Sequence, residues 1–113
     1  MAYRKYKAKK VIVDGIPFDS KKEARRYQEL KLLERAGVIK DLVLQPCFLL
    51  QDKFKYKDKT EHKIKYIADF KYLDTKTGKV VVEDVKGYKT DVYKLKRKLF
   101  LKKYGEAYEF TEI

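Results

Sequence analysis

Apolar positions along the chain change their period several times, and each change marks an element. VIV-DG-IPF (11–18) sets two short β-prone runs around Asp14-Gly15, a pair that supplies the positive φ required by a type I′ hairpin turn. Pro17 places the returning run at a sheet edge, since proline cannot donate to a ladder. From Ser20 the spacing becomes helical. Ala24, Tyr27, Leu30 (or the stem of Lys31) and Leu33 recur every three or four residues. Ser20 and Glu23 form a capping-box pattern, and Gly37 supplies the stop. VIKDLVLQPCFLL then reads as a buried extended stretch bent at Gln45-Pro46. The proline behind it is expected to hold Gln45 in β or polyproline geometry.

The polar segment QDKFKYKDKTEHK (51–63) reads as a loop or a protruding hairpin. KIKYIADFKYL resumes as one strand, DTKTG turns, and KVVVEDVKG returns as its antiparallel partner, ending at Gly87. TDVYKLKRKLFLKKYG predicts a second helix, capped by Thr90 or Asp91 and stopped by Gly105. Val92, Leu95, Leu99 and the stem of Lys102 share one side of it, while Lys94, Arg97 and Lys98 crowd another. EAYEFTEI closes as a short strand. The order β-β-α-β-β-β-α-β shows no repeat and no break in composition. It predicts a single α/β (α+β) domain over 11–113, behind a flexible basic arm at 1–10.

Charge narrows the class of partner. The 113 residues carry 29 Lys and Arg against 17 Asp and Glu, a formal net charge of +12. That balance suits a polyanion, phosphate backbones above all, although a lysine-rich surface also serves solubility. The arm holds Arg4, Lys5, Lys7, Lys9 and Lys10 with no acid. Tyrosines of the arm and of Phe54-Lys55-Tyr56-Lys57 are expected to pack against the sheet, the alternative being stacking on unpaired bases. Cys47 is the only cysteine. It is expected to be a small buried residue, allows no intrachain disulfide, and suits a reducing cytoplasm. His62 also stands alone, which excludes zinc sites built from Cys and His. No apolar run approaches the ~20 residues that cross a bilayer, and the basic N-terminus lacks the apolar core of a signal peptide. A cytoplasmic protein without a membrane partner is expected.

The chemistry concentrates in VVEDVKG (81–87). Ionised groups inside an apolar strand need a partner or a metal. Alternation puts Asp84 and Lys86 on one face, and Glu83 and Val85 on the other. Asp69, between Ala68 and Phe70, is a second lone carboxylate, and counting back through the DTKTG turn sets it level with Asp84. Two carboxylates at one level suit Mg²⁺ or Mn²⁺, with Lys86 beside the ion to orient or deprotonate an attacking water. Glu83 competes with Asp84 for the acid position, and a β-bulge would reverse the choice; sharing a face with Lys86 favours Asp84. Glu23 also has a purely structural reading as the capping-box acid.

Asp69…Asp84-x-Lys86, preceded by a helix bearing Glu23, resembles the PD-(D/E)XK nuclease superfamily. SKKEARRYQEL, Gln45-Pro46, YIADF and VVEDVKG together are similar to small phage-encoded endonucleases of the Holliday junction resolvase-like family. Transposase endonuclease subunits of heteromeric transposons carry a similar arrangement. The likeness runs from about Phe18 to Gly105. It implies a restriction-endonuclease-like αβββαβ core, with a mixed central sheet flanked by helices and here an added N-terminal β-hairpin. It also implies Mg²⁺-dependent cleavage of DNA, Mn²⁺ substituting, on branched substrates such as four-way junctions. Two symmetric cuts imply a homodimer. Carried over by position, Glu23 matches the first-helix acid, Asp69 the central aspartate, Asp84 the variable acid and Lys86 the lysine, with Gln45 auxiliary. Ala68-Asp69 stands where the family has Pro-Asp. Lys89, Lys94, Arg97 and Lys98, with Arg4 and Lys5 of the arm, would contact DNA. Two other functions fit the same residues: a non-catalytic nucleic-acid-binding module, and a nuclease subunit that needs a partner.

Overall fold

The computed structural model describes residues 10–113; the rest of the predicted arm, including Arg4 and Lys5, lies outside them. Local sequence signals account for the first elements. β1 (Val11–Val13) and β2 (Ile16–Phe18) pair around Asp14 and Gly15, whose φ angles of 55° and 76° form the expected turn. Helix α1 (Lys21–Arg35) begins where Ser20 Oγ accepts from the Glu23 N–H at 3.1 Å. Glu23 Oε1 reaches back to the Asp19 N–H, also at 3.1 Å, so the reciprocal cap forms. At the other end Gly37 N–H donates to Glu34 O and Val38 N–H to Leu33 O. This closure needs the left-handed Gly37, at φ 78°.

From Ile39 the chain runs out and back as one long antiparallel ribbon. Its outgoing limb is β3 (Ile39–Leu44), β4 (Cys47–Gln51) and β5 (Phe54–Tyr56). The returning limb is β6 (Lys59–Glu61), β7 (Ile64–Ile67) and β8 (Phe70–Asp74). Lys57 and Asp58, at φ 49° and 64°, make the tip turn. The pairing Leu44↔Phe70 carries through to Cys47↔Ile67 with no change of register. Single irregularities lie between Lys40 and Val43, where Asp41 is left-handed, and between Leu49 and Gln51.

KIKYIADFKYL is therefore two strands rather than the one expected, broken at Ala68-Asp69 where the ribbon leaves the sheet. Gln45 is left-handed at φ 51°, not extended as its proline predicts. The kink explains both departures. Gln45 N–H donates to Asp69 O at 2.9 Å and Ala68 N–H to Pro46 O at 3.0 Å. The ladder thus survives the bend and offsets a backbone strain of about 1 kcal/mol or more.

β9 (Val80–Asp84) follows, then α2 (Asp91–Tyr104) and β10 (Glu109–Glu112). The main sheet has the order β10-β9-β8-β3, with β9 and β10 parallel and the other pairs antiparallel. The succession α1-β3-β8-β9-α2-β10 is the expected αβββαβ order on a mixed sheet. One apolar cluster joins α1 to Phe70, Tyr72 and Val81. A second joins α2 to Phe48, Tyr66 and Val82. Since Val81 and Val82 alternate on β9, the two helices cover opposite faces.

Two expectations about burial fail, those for Cys47 and for Tyr56, both of which are exposed. The α2 cluster is aromatic, with Phe100 fully buried among Phe48, Tyr66, Tyr104 and Tyr108. It therefore turns Tyr93 and Phe100 inward and leaves Val92, Leu95 and Leu99 exposed. Phe48 takes the inner side of β4, so Cys47 is exposed. Phe54 and Tyr56 lie beyond the reach of either cluster and are exposed as well.

Candidate functional site

β9 carries two buried acids in succession, and its alternation sends them to opposite faces. Glu83, 1% exposed, turns toward α1, where Arg26 grips it with Nε at 2.8 Å and Nη2 at 2.6 Å. The Tyr72 hydroxyl donates to the same carboxylate. A buried carboxylate so held is an ion pair of the core. Arg26 also donates to Glu29, and its pairing with Glu83 raises the guanidinium pKa further.

Asp84, 0% exposed, turns toward α2. Its Oδ2 accepts from the Tyr66 hydroxyl. Lys86 Nζ lies 3.2 Å from Oδ1, yet at an angle that leaves this buried oxygen without a hydrogen bond. The lysine also sits 4.6 Å over the Tyr93 ring. Asp84 and Lys86 thus stand together on one side, while Glu83 is turned to the other.

Asp69 stands next to Asp84, because the pairing Phe70↔Glu83 extended by one residue sets them opposite. Its backbone is fixed from both sides, donating to Glu83 O at 3.1 Å and accepting from the Gln45 N–H. Its Oδ2 accepts from the Val85 N–H at 2.7 Å. Burial pushes the Asp69 carboxyl well above the usual carboxylate range, and Glu23 nearby pushes the same way, against the Val85 hydrogen bond. Burial likewise pushes Asp84 up to about 6; the Tyr66 hydrogen bond opposes this and the Asp69 charge adds to it. Both carboxyls thus resist ionisation where they stand.

The predicted set falls on two sides of this acid pair. Glu23, Gln45 and Asp69 line one cleft of about 350 Å³, together with Lys10 and Asp19. Lys86 lines a neighbouring hollow of about 280 Å³ with Tyr66, Tyr93 and Lys96. Asp84 lines neither and is buried between them. Glu23 caps the start of α1 through Oε1, and its side chain also lines the Asp69 cleft. Lys89, Lys94, Arg97 and Lys98 come together around Glu112. Glu112 lies 3.3 Å from Lys89 and 3.5 Å from Arg97, and it accepts from the Tyr93 hydroxyl. Among the described residues Lys94 and Lys98 take part in no ion pair, and both are exposed.

Among the described residues no group of three His, Cys, Asp or Glu side chains stands at metal-ligand spacing. Each acid spends an oxygen on a protein donor: Asp69 on Val85, Asp84 on Tyr66, Glu23 on Asp19. The donor chemistry nevertheless fits a hard divalent cation. Two desolvated carboxyls that repel one another, one with an orphaned oxygen, are what such a cation relieves.

Sequence reasoning missed Arg26, Tyr66, Tyr72, Tyr93 and Glu112. Arg26 had a usable signal, since it sits one helical turn from Glu23 on α1. The tyrosines had none, because their acids lie on other strands. α1 is also tied to the Lys86 segment: Lys22 Nζ donates to Ile113 O at 2.9 Å and to Lys86 O at 3.4 Å. No helix among the described residues is long and apolar enough to cross a membrane. No curated protein and no solved structure matches the chain. A family model does match it, over residues 3–111, and the chain accordingly belongs to the family described as "Protein of unknown function (DUF1064)".

Proposed function

We propose that this chain is a metal-dependent endonuclease that hydrolyses phosphodiester bonds in DNA, acting as a homodimer on branched substrates such as four-way junctions. One observation carries the reading: half-buried Asp69 and fully buried Asp84 stand at one level of the sheet beside Lys86, with Asp84 Oδ1 accepting no hydrogen bond. The cost of desolvating a buried ion pair can exceed its attraction, so stability alone gives little reason for this trio. The resemblance of Asp69…Asp84-x-Lys86 to the PD-(D/E)XK pattern supports the same chemistry.

Asp69, Asp84 and Glu23 would hold Mg²⁺ or Mn²⁺, which when bound polarises the phosphate and lowers the pKa of an attacking water. Lys86 Nζ, propped on the Tyr93 ring, orients that water and offsets charge on the phosphoryl oxygens. Gln45 lines the same cleft as Asp69 and Glu23. Lys94 and Lys98, with Lys89 and Arg97, grip the backbone and set its register.

The test is incubation of a labelled immobile four-way junction with Mg²⁺, with Mn²⁺ and with a chelator. Cleavage with metal and none with chelator is expected. Junction, flap and duplex DNA all left uncut with both metals would refute the enzyme. Light scattering at micromolar concentration should give the mass of a dimer, and a monomer would point to a nicking or flap nuclease. The absence of three ligands at metal spacing among the described residues favours a second reading: a binding module without catalysis. That module binds in a steeply salt-dependent way and yields no metal-dependent product.

A further inference from the structure

The outer half of the ribbon is the least explained part of the molecule. All residues from 51 to 63 are exposed, and β5 and β6 make their contacts chiefly with each other. A two-stranded hairpin is marginal in water unless its apolar face is covered. Here Phe54 and Tyr56, two apart on β5, share one face at 49% and 61% exposure. Among the described residues, Lys57 Nζ lies 5.4 Å from the centre of the Tyr56 ring, and no apolar side chain covers that face.

The surroundings indicate what would. The hairpin carries Lys53, Lys55, Lys57, Lys59 and Lys63 against Asp52, Asp58 and Glu61; on the aromatic face Lys59 lies opposite Tyr56 and Glu61 opposite Phe54, while Lys55 points to the other side. An apolar protein surface would be a poor partner, because interface cores are depleted of lysine. The lysines also continue toward the acid pair. Lys65 lines the hollow that contains Lys86 and Lys96, and equally a second one that contains Lys53 and Lys63. A cationic track therefore leads from Lys86 along the ribbon to the aromatic face. Aromatic platforms at the end of such a track are how sequence-tolerant single-strand binders hold bases.

We propose that the β5–β6 hairpin is a base-stacking finger for an unpaired DNA strand, whose backbone follows Lys86, Lys65 and Lys63 to Phe54 and Tyr56. The inference rests on the nucleic-acid reading above and deepens it. The ribbon is rooted at Gln45 and Asp69, so a strand held by the finger is positioned relative to the acid pair. The span from Leu44 to Tyr56 is about 40 Å at ~3.3 Å per residue, somewhat more than one turn of duplex.

The test is fluorescence anisotropy with a labelled oligo-dT and a duplex of equal length, in EDTA so that nothing is cut. Phe54→Ala/Tyr56→Ala should weaken oligo-dT binding by about 30-fold or more, with duplex binding changed less than about 3-fold. The chain has no tryptophan, so Tyr56→Trp gives a single reporter that should bind normally and be quenched by oligo-dT. Unchanged oligo-dT affinity in the double alanine variant, equal losses on both DNAs, or an unquenched Trp at saturation would each overturn the finger. Junction cleavage in Mg²⁺ is scored separately: binding by the finger without cleavage sinks the nuclease alone, whereas cleavage with an indifferent finger sinks this proposal alone.

Discussion

Glu83 and Asp84 are neighbours on one strand, equally hidden from water, and opposite in kind. Glu83 has the Arg26 fork and the Tyr72 hydroxyl, so its charge is answered. Asp84 has one hydroxyl, a lysine held at the wrong angle, and a second acid opposite. Burial alone does not distinguish a functional acid from a structural one; the degree to which its charge is met does. On the face of β9 that packs on α1 the buried charge is fully paired, and on the face that packs on α2 it is only partly met.

The strongest way to break this contrast is through cleavage. Asp69→Asn and Asp84→Asn should abolish metal-dependent cutting of the junction while binding in EDTA stays within about 3-fold, and Lys86→Ala should cost ~10²-fold or more in rate. Full activity in these variants would remove the site from this face. Next in size is stability. Glu83→Ala strands the Arg26 guanidinium against a partly desolvated pocket, and urea denaturation should show a loss of about 3 kcal/mol. Asp84→Asn relieves repulsion with Asp69 and keeps an acceptor for Tyr66, so it should be at least as stable as wild type. If the Glu83 variant proved the more stable of the two, the roles would be reversed.

The smallest effect concerns pH. The Asp84 pKa is about 6 in the folded chain against 3.8 for a free side chain. The unfolded chain therefore ionises first as pH rises. The stabilising contribution of the protonated carboxyl is complete below 3.8 and is lost by about 6. Denaturation midpoints measured in EDTA should fall between pH 4 and pH 7, and Asp84→Asn should flatten that fall. Glu112 behaves in the opposite sense. Its pKa is lowered from 4.5, chiefly by the Tyr93 hydroxyl, so its contribution is present above 4.5 and disappears as the solution is acidified below it.

Much of this was legible in the chain because it depends on near neighbours. The Asp14-Gly15 turn, the Ser20-Glu23 cap, the Gly37 closure and the pairing of Asp69 with Asp84 all follow from counting over short distances. What escaped depends on partners far away in sequence. Glu83 and Arg26 are 57 residues apart, and although Arg26 lies one turn from Glu23, its pairing with Glu83 is set by the fold. KIKYIADFKYL looks like one strand because its residues are uniformly β-prone; only the departure of the ribbon at Pro46 divides it. Val92, Leu95 and Leu99 have a plausible inward spacing, but the bulk of Phe48 and Tyr66 selects Tyr93 and Phe100 for the interior. Tyr56 was expected to find a sheet to lie on, and the ribbon carries it past its edge.

The unbroken register through the Gln45–Asp69 kink has a consequence for how such a chain can change over time. Backbone bonds close the ladder at Gln45 and Asp69, before any residue of β4 or β7 is needed. Paired deletions or insertions in the outer hairpin, beyond Gln51 and Ile64, one residue from each limb, leave the sheet, the packing of Phe48 and Tyr66 and the Tyr66–Asp84 hydrogen bond untouched. The outer ribbon is thus an interchangeable module, and relatives sharing the same sheet are free to differ in its length.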